Sequence, residues 1–254
     1  MTTDPATTTP APPTIDLPVP GVALAIGAHP DDIEFGCGAT IAKWSAAGCA
    51  VHLLVLTDGS KGTWDPDADP TALAAARADE QAAAARALGA ASVHRTGFVD
   101  GELSEGPVEQ AAVCAIIRDV RPEVVLGHDP WKRYRLHPDH RHAGFLVLDA
   151  VVAARDPHFF PEQRRAPHRP TGLLLFESEA VDHLERVEST FAAKVNALLA
   201  HRSQWRSTMG IDGASPEVDA QTARFVQRLQ DEAEAFGALA GIGAAEGFKR
   251  ITDV

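Results

Sequence analysis

Two short stretches of this chain set imidazoles beside carboxylates: His-Pro-Asp-Asp at 29–32 and His-Pro-Asp-His at 137–140. These groups are the usual ligands of a catalytic zinc ion, which takes three protein side chains and keeps a position for water. His29 and Asp32 are three residues apart, so one helical turn after a strand points both the same way. His140 can supply a third ligand from across a cleft. Asp31 is then free, beside the metal, to take a proton from water. A cation also explains why Asp31 and Asp32 are adjacent, since their mutual repulsion otherwise destabilises the turn. The competing reading is helix capping, for which Asp is a favoured residue. A second cluster of the same kind tips the balance toward metal. The donor set suits zinc, and two histidines with a carboxylate also describe ferrous iron sites.

These residues need a frame that brings them together. Apolar runs at 21–28, 50–57, 92–98, 123–129 and 172–178 read as strands. Helical patterns over 38–48, 68–89, 107–120 and 139–155 alternate with them. The second of these helices has Asp69 as its expected N-cap, Pro70 in its first turn and Gly89 as its stop. Continuous apolar strands alternating with helices predict an α/β fold, a parallel sheet covered on both faces. In such sheets ligands bind at the carboxyl ends of strands. His29–Asp32, residues 57–63 and residues 128–140 all follow strands, so the unusual polar groups fall at one edge. Two further helices are expected around 189–204 and 216–236 in a C-terminal extension of the same domain. The Pro- and Arg-rich tract 154–170 reads as a long loop near the cleft.

With 254 residues the chain fits one large α/β domain or two small ones. A formal net charge of −12 disfavours nucleic acid and anionic membrane as partners. The three cysteines form no CxxC pair, so a reducing compartment is the natural reading, with Cys37 a buried filler rather than a nucleophile. No signal peptide or bilayer-spanning run is evident, and the expectation is a soluble, cytoplasmic protein. Thr and Pro mark residues 1–18 as a flexible arm preceding a single domain over 19–254.

The stretches AHPDDIEFGCGAT and HPDHR resemble the LmbE-like, or PIG-L, family of zinc-dependent N-acetylglucosaminyl deacetylases. LTDGSKGT, RADEQAAAARALG and HRSQW extend the likeness over roughly residues 21–206. The resemblance implies a Rossmann-like fold with helices on both faces of a mostly parallel sheet. It implies that His29, Asp32 and His140 bind Zn2+, with Fe2+ as the other metal to weigh. Asp31 would be the general base. His137 would steady the oxyanion or protonate the leaving amine, and Asp139 would orient His137. It further implies a small amino sugar substrate and leaves room for a homo-oligomer.

Departures from the family fall where substrate would sit. Arg135 occupies a place often held by tyrosine, and either binds an anionic substrate group or holds its loop. Ser60 stands where a Glu is common. Arg77 matches a substrate-contacting position, against which stands a surface or helix-pairing role with Asp79 or Glu80. His128 and Asp129 are expected behind the metal or in a purely structural role, and His201 shows no clustering. Trp64 and Trp131 lie in the site loops, where a sugar ring can stack. Two rival functions remain: an amidase acting on a larger N-acyl group or a thiol conjugate, and a nucleotide-binding module. GAHPDD after the first strand argues against the latter, since a pyrophosphate needs glycines there and not carboxylates.

Overall fold

The structure, a computed structural model, describes residues 11–254. Eight strands form one sheet: β1 (Thr14–Ile15), β2 (Val22–Gly27), β3 (Ala50–Thr57), β4 (Ser92–Phe98), β5 (Val124–His128), β6 (Gly172–Phe176), β7 (His183–Arg186) and β8 (Ala245–Ile251). Six α-helices accompany them: α1 (Asp32–Ala46), α2 (Pro70–Leu88), α3 (Pro107–Val120), α4 (Pro138–Arg155), α5 (Phe191–Ala200) and α6 (Val218–Ala238). The strand order is β1-β7-β8-β6-β5-β2-β3-β4. Every pairing is parallel except those of β8, which runs antiparallel between β6 and β7. The fold is thus α/β with a mostly parallel, mixed sheet.

Alternate residues of each central strand serve opposite faces. Ala23, Ala25, Leu53 and Val55 pack under α1, α2 and α5, with Ile41, Trp44 and Leu88 filling that layer. Leu24, Ile26, Leu54 and Leu56 pack under α3 and α4, against Ile117, Leu146 and Val147. A third apolar cluster, Leu198, Met209, Ile211, Phe225 and Leu229, joins α5 to α6. Caps follow the chemistry of the sequence. The Asp69 carboxylate accepts from the Thr71 amide at 2.9 Å, and Gly89 closes α2 with φ +72°.

Three expectations are corrected. Five strands become eight, because β8 and β7, rich in charged residues, are recruited in turn, β8 by pairing to β6 and β7 by pairing to β8, and β1 adds to β7. The arm expected over 1–18 is not free where it is described: Thr14–Ile15 pair with β7, and the Leu17 amide donates to Glu185 at 2.8 Å. Residues 1–10 of that arm lie outside the described residues. The tract 154–170 is not at the cleft. α4 starts at the carboxyl end of β5 and, over 18 residues, spans about 27 Å back to the opposite edge. There His168 bonds the Pro122 carbonyl, and Arg118 gathers the carbonyls of Ala153, Asp156 and Phe159.

The order of the sheet turns at β2, with β3 on one side and β5 on the other. Clefts in doubly wound sheets form at such a reversal. The loop after β2 carries residues 28–31, and the loop after β5 carries 129–137. Both sequence clusters therefore open onto one crevice.

Candidate metal centre

At the end of β2 the backbone turns sharply into α1. Asp31 stands at the N-cap position with φ +98°, a left-handed conformation unusual for a residue with a side chain. Its carboxylate makes no cap bond, so the capping reading fails. The turn is held by neighbours: the Asp31 amide donates to Gln81 Oε1 at 3.2 Å, and Arg77 grips the Pro30 carbonyl. The Asp32 carboxylate turns back to accept from the His29 amide at 2.7 Å.

His29 Nδ1 lies 3.3 Å from Asp32 Oδ2 and 3.2 Å from His140 Nε2. His140 Nε2 in turn lies 3.3 Å from the other Asp32 oxygen, Oδ1. A tetrahedral ion with bonds of about 2.0–2.1 Å holds its ligand atoms about 3.3–3.4 Å apart, so these pairwise spacings are of the size that metal ligands adopt. Three overlapping groups here bring donor atoms within 4.8 Å of one another: His29 with His137 and His140, Asp32 with His128 and His140, and His29 with Asp100 and Asp139. The tautomer of His29 suits ligation as well. His29 Nε2 faces Asp139 Oδ2 and Asp100 Oδ1, each at 3.1 Å, and these acceptors keep the proton there. That leaves the Nδ1 lone pair aimed at the Asp32 carboxylate, an arrangement a cation resolves. Without one, burial opposes a charge on His29. Asp100, Asp139 and Asp32 nonetheless raise its pKa well above the usual imidazole value. Asp32 behaves inversely: burial works against its ionisation, but His140 and His128 hold its pKa well below the carboxylate range.

Asp31 sits apart from these donors, buried beside Arg77, whose Nη2 is 3.6 Å from Asp31 Oδ1. Burial pushes its pKa up to about 7; Arg77 pulls it down and Asp32 pushes it further up. Behind it lie Gln81, which donates to Glu34 Oε1 at 2.6 Å, and His201, 3.6 Å from Glu34 Oε2. The His137 ring meets His29 edge-on at a centroid distance of 4.6 Å. Burial, His29 and His140 lower its pKa.

Other expectations change once the side chains are in place. Asp139 bonds His29 and the Gly101 amide (2.7 Å), not His137, because α4 starts at Pro138 and turns its second residue inward under the first cluster. Arg135 lines neither cavity at the centre; it contacts His140 Nδ1 and Glu177. Glu177 attracts it because burial, which raises its pKa, is outweighed by His128 and Arg135, which bring it to about 2. These contacts are those a loop-holding Arg135 makes. Arg77 is 2% exposed and pairs with neither Asp79 nor Glu80. It lines the cavity while bonding the Gly59 carbonyl at 3.1 Å, and a Cβ at Gly62 would lie 2.2 Å from its Nη1. The glycines of the 57–63 loop are there to admit this guanidinium.

His128 does back the centre, with Nε2 3.2 Å from Asp32 Oδ2 and Nδ1 3.0 Å from Glu177. His201, expected to be unclustered, lies in the layer behind Asp31. Asp100, Glu34, Gln81 and Glu177 were not singled out by sequence reasoning. The AHPDDIEFGCGAT, RADEQ and HRSQW stretches, which hold Glu34, Gln81 and His201, hinted at that layer. Trp64 stands 86% exposed on the cavity rim, whereas Trp131 packs edge-on against Phe145. Cys37 is buried and burial raises its thiol pKa, as a filler requires.

Residues 24–151, which include both clusters, match the family described as PIG-L, GlcNAc-PI de-N-acetylase. A Thermococcus kodakarensis protein named diacetylchitobiose deacetylase is 36% identical over 185 residues, 72% of this chain and 69% of that protein. A Streptomyces scabiei 1D-myo-inositol 2-acetamido-2-deoxy-alpha-D-glucopyranoside deacetylase is 35% identical over 166 residues, 55% of this chain and 50% of that protein. The chain thus spans about half the length of that second relative. The solved structure of N,N'-diacetylchitobiose deacetylase from Pyrococcus horikoshii superimposes with a TM-score of 0.81 at 28% identity, over 92% of this chain and 84% of that one.

Proposed function

The chain belongs to the PIG-L family, and from that premise we propose that it hydrolyses the N-acyl amide, foremost the N-acetyl group, of an N-acetylglucosamine conjugate. His29, Asp32 and His140 would hold zinc. The observation that carries this reading is the convergence of His29 Nδ1, His140 Nε2 and the two oxygens of the Asp32 carboxylate at pairwise distances of 3.2 and 3.3 Å, with Asp31 beside them and His137 facing the same cavity. When bound, zinc supplies Lewis acidity, polarising the acyl oxygen and making water more acidic.

The side chains divide the remaining work. Asp31 accepts a proton from the attacking water, and its buried position keeps it from being solvated away from that task. His137 donates an N–H to the developing oxyanion and supplies the proton the departing nitrogen needs. Asp139 and Asp100 fix the ring of His29 from behind, a positioning role in place of the contact with His137 expected from the resemblance. Arg77 fixes the turn that presents Asp31 and forms part of the cavity wall. The exposed Trp64 ring offers an amino sugar a face to stack on.

Residues 19–254 would work as one domain. Three buried thiols with no disulfide support a reducing compartment, read as the cytoplasm. Among the described residues no helix is long and apolar enough to cross a membrane.

The deciding experiment follows primary-amine release from N-acetylglucosamine conjugates by zinc-loaded protein. Asp31→Ala should keep its metal and lose roughly 10²–10⁴-fold in kcat, while His140→Ala should lose metal. Metal analysis after purification without added metal separates zinc from ferrous iron. Full metal content with no amine released from any conjugate would overturn the reading.

A further inference from the structure

The peptide unit that joins Pro30 to Asp31 is held from both sides by one helix. Its carbonyl accepts from Arg77 Nη2, and its N–H donates to Gln81 Oε1 at 3.2 Å. Arg77 and Gln81 are four residues apart on α2, so they project from the same face one turn apart. Both are buried, Arg77 at 2% and Gln81 at 0% exposure. Gln81 is itself oriented. Its amide nitrogen donates to Glu34 Oε1 at 2.6 Å, and a carboxylate only accepts, so the amide oxygen is the atom left for Asp31. Glu34 is buried in turn, with His201 Nε2 3.6 Å from its other oxygen.

The backbone shows what this clamp opposes. Pro30 locks its own φ, so the freedom left to the turn is rotation of the 30–31 peptide plane. Asp31 has ψ −25°, already helical, and only its φ of +98° keeps it out of α1. A half-turn of the plane would carry that φ to roughly −80°, the ordinary right-handed region, and α1 would begin one residue earlier. A residue with a side chain favours that state over the left-handed one by roughly 10- to 100-fold. The clamp reverses the preference. In the half-turned peptide an N–H would face the Arg77 guanidinium and a carbonyl would face the Gln81 oxygen, donor against donor and acceptor against acceptor.

We propose that Gln81 is a positioning residue for the hydrolysis. With Glu34 behind it and Arg77 beside it, it keeps the 30–31 peptide in the orientation that presents the Asp31 carboxylate as a base and not as the first residue of a helix. The proposal rests on the reading of Asp31 as the general base and adds what holds it there. A reacting group misplaced by about 1 Å costs on the order of 10²-fold in rate. Gln81 borders neither cavity at the centre, so its removal acts through the turn and not through a substrate contact.

The test replaces Gln81 with Met, which keeps its length and volume and removes both amide atoms. In zinc-loaded protein kcat for amine release from N-acetylglucosamine conjugates should fall roughly 10-fold or more, with KM and metal content unchanged. In metal-free protein the Asp31 amide should lose its protection from hydrogen exchange. Gln81→Glu sets two carboxylates together and should be impaired as well. Adding Glu34→Gln exchanges donor and acceptor, and should restore both kcat and the Asp31 protection. These two variants carry the test should Gln81→Met fail to fold. An unchanged kcat, a loss of kcat that follows loss of metal, or a double variant that recovers neither readout would overturn the proposal. Amine release absent from the unaltered protein would sink the hydrolase reading instead, and the clamp would then stand or fall on the Asp31 amide.

Discussion

At the scale of single residues, the proposed metal centre depends on groups outside the proposed ligand set. His29 is oriented by two buried carboxylates, Asp100 and Asp139, both 3.1 Å from its Nε2. Partners of this kind typically contribute 10–100-fold to metal affinity. Asp100→Asn should therefore weaken zinc binding by roughly 10-fold or more, read by competition with a chelating dye; unchanged affinity would reduce Asp100 to a bystander. The residues proposed as ligands stand out in the sequence because imidazole and carboxylate three residues apart have few other uses. Asp100 was not, since it follows a short strand with no chemical neighbour in sequence. Arg135 shows the converse limit. Its position left a substrate contact and a loop-holding role open, and its partner in the fold, Glu177, lies 42 residues further along the chain, where spacing gives no sign of it.

At the scale of elements, α1 is kinked where it crosses the sheet edge. Cys37 leaves helical geometry (φ −152°), and the freed amides of Ala39 and Thr40 donate to the Glu246 carboxylate of β8 at 3.1 and 2.8 Å. Lys194 of α5 completes the cluster with Nζ 2.6 Å from Glu246 Oε1. One carboxylate thus caps the second half of α1 and pins it to α5 and β8. Breaking a buried pair by removing one partner costs about 3–5 kcal/mol. Glu246→Ala should be destabilised by that order in urea unfolding, and adding Lys194→Met should recover part of the loss; a neutral single variant would show the cluster carries no weight. This network also explains why β8 was invisible in the sequence. AEGFKRI has neither alternation nor a continuous apolar run, and its Glu is inside for reasons that lie on α1. The 154–170 loop was misplaced for a simpler reason. Its direction is set by the length of α4, which was in hand.

At the scale of the whole molecule, the outer part of the sheet is tied by Glu185. It accepts from the Leu17 amide, from His183 Nε2 at 2.9 Å and from Trp44 Nε1 at 3.3 Å, and Lys43 lies beside it. Burial alone would raise its pKa, but these partners, His183 first, bring it below the usual value. A carboxyl whose folded pKa is depressed contributes stability above its unfolded pKa of about 4.3 and loses it as pH falls through the lower folded value. Acidification below about pH 4.3 should therefore free β1 from β7, seen as a lower protection factor for the Leu17 amide once the intrinsic pH dependence of exchange is divided out. Glu185→Gln should show that low protection already at neutral pH. A protection factor at Leu17 that stays constant across this window would break the link.

The reversal of strand order at β2 has a consequence for how the molecule comes into being. The two ligand clusters are about a hundred residues apart in the chain and become neighbours only when β5 settles against β2. A nascent chain that has emerged only as far as β4 holds His29 and Asp32 without their partner, and has little grip on a metal ion. Under the proposed ligand set, capture of the ion would mark the moment the central pairing is complete. Because a ligand bound only by the folded form adds to its stability, the ion would also act as a clasp across the seam between the two halves of the sheet. Readiness for chemistry and completion of folding would then be one event.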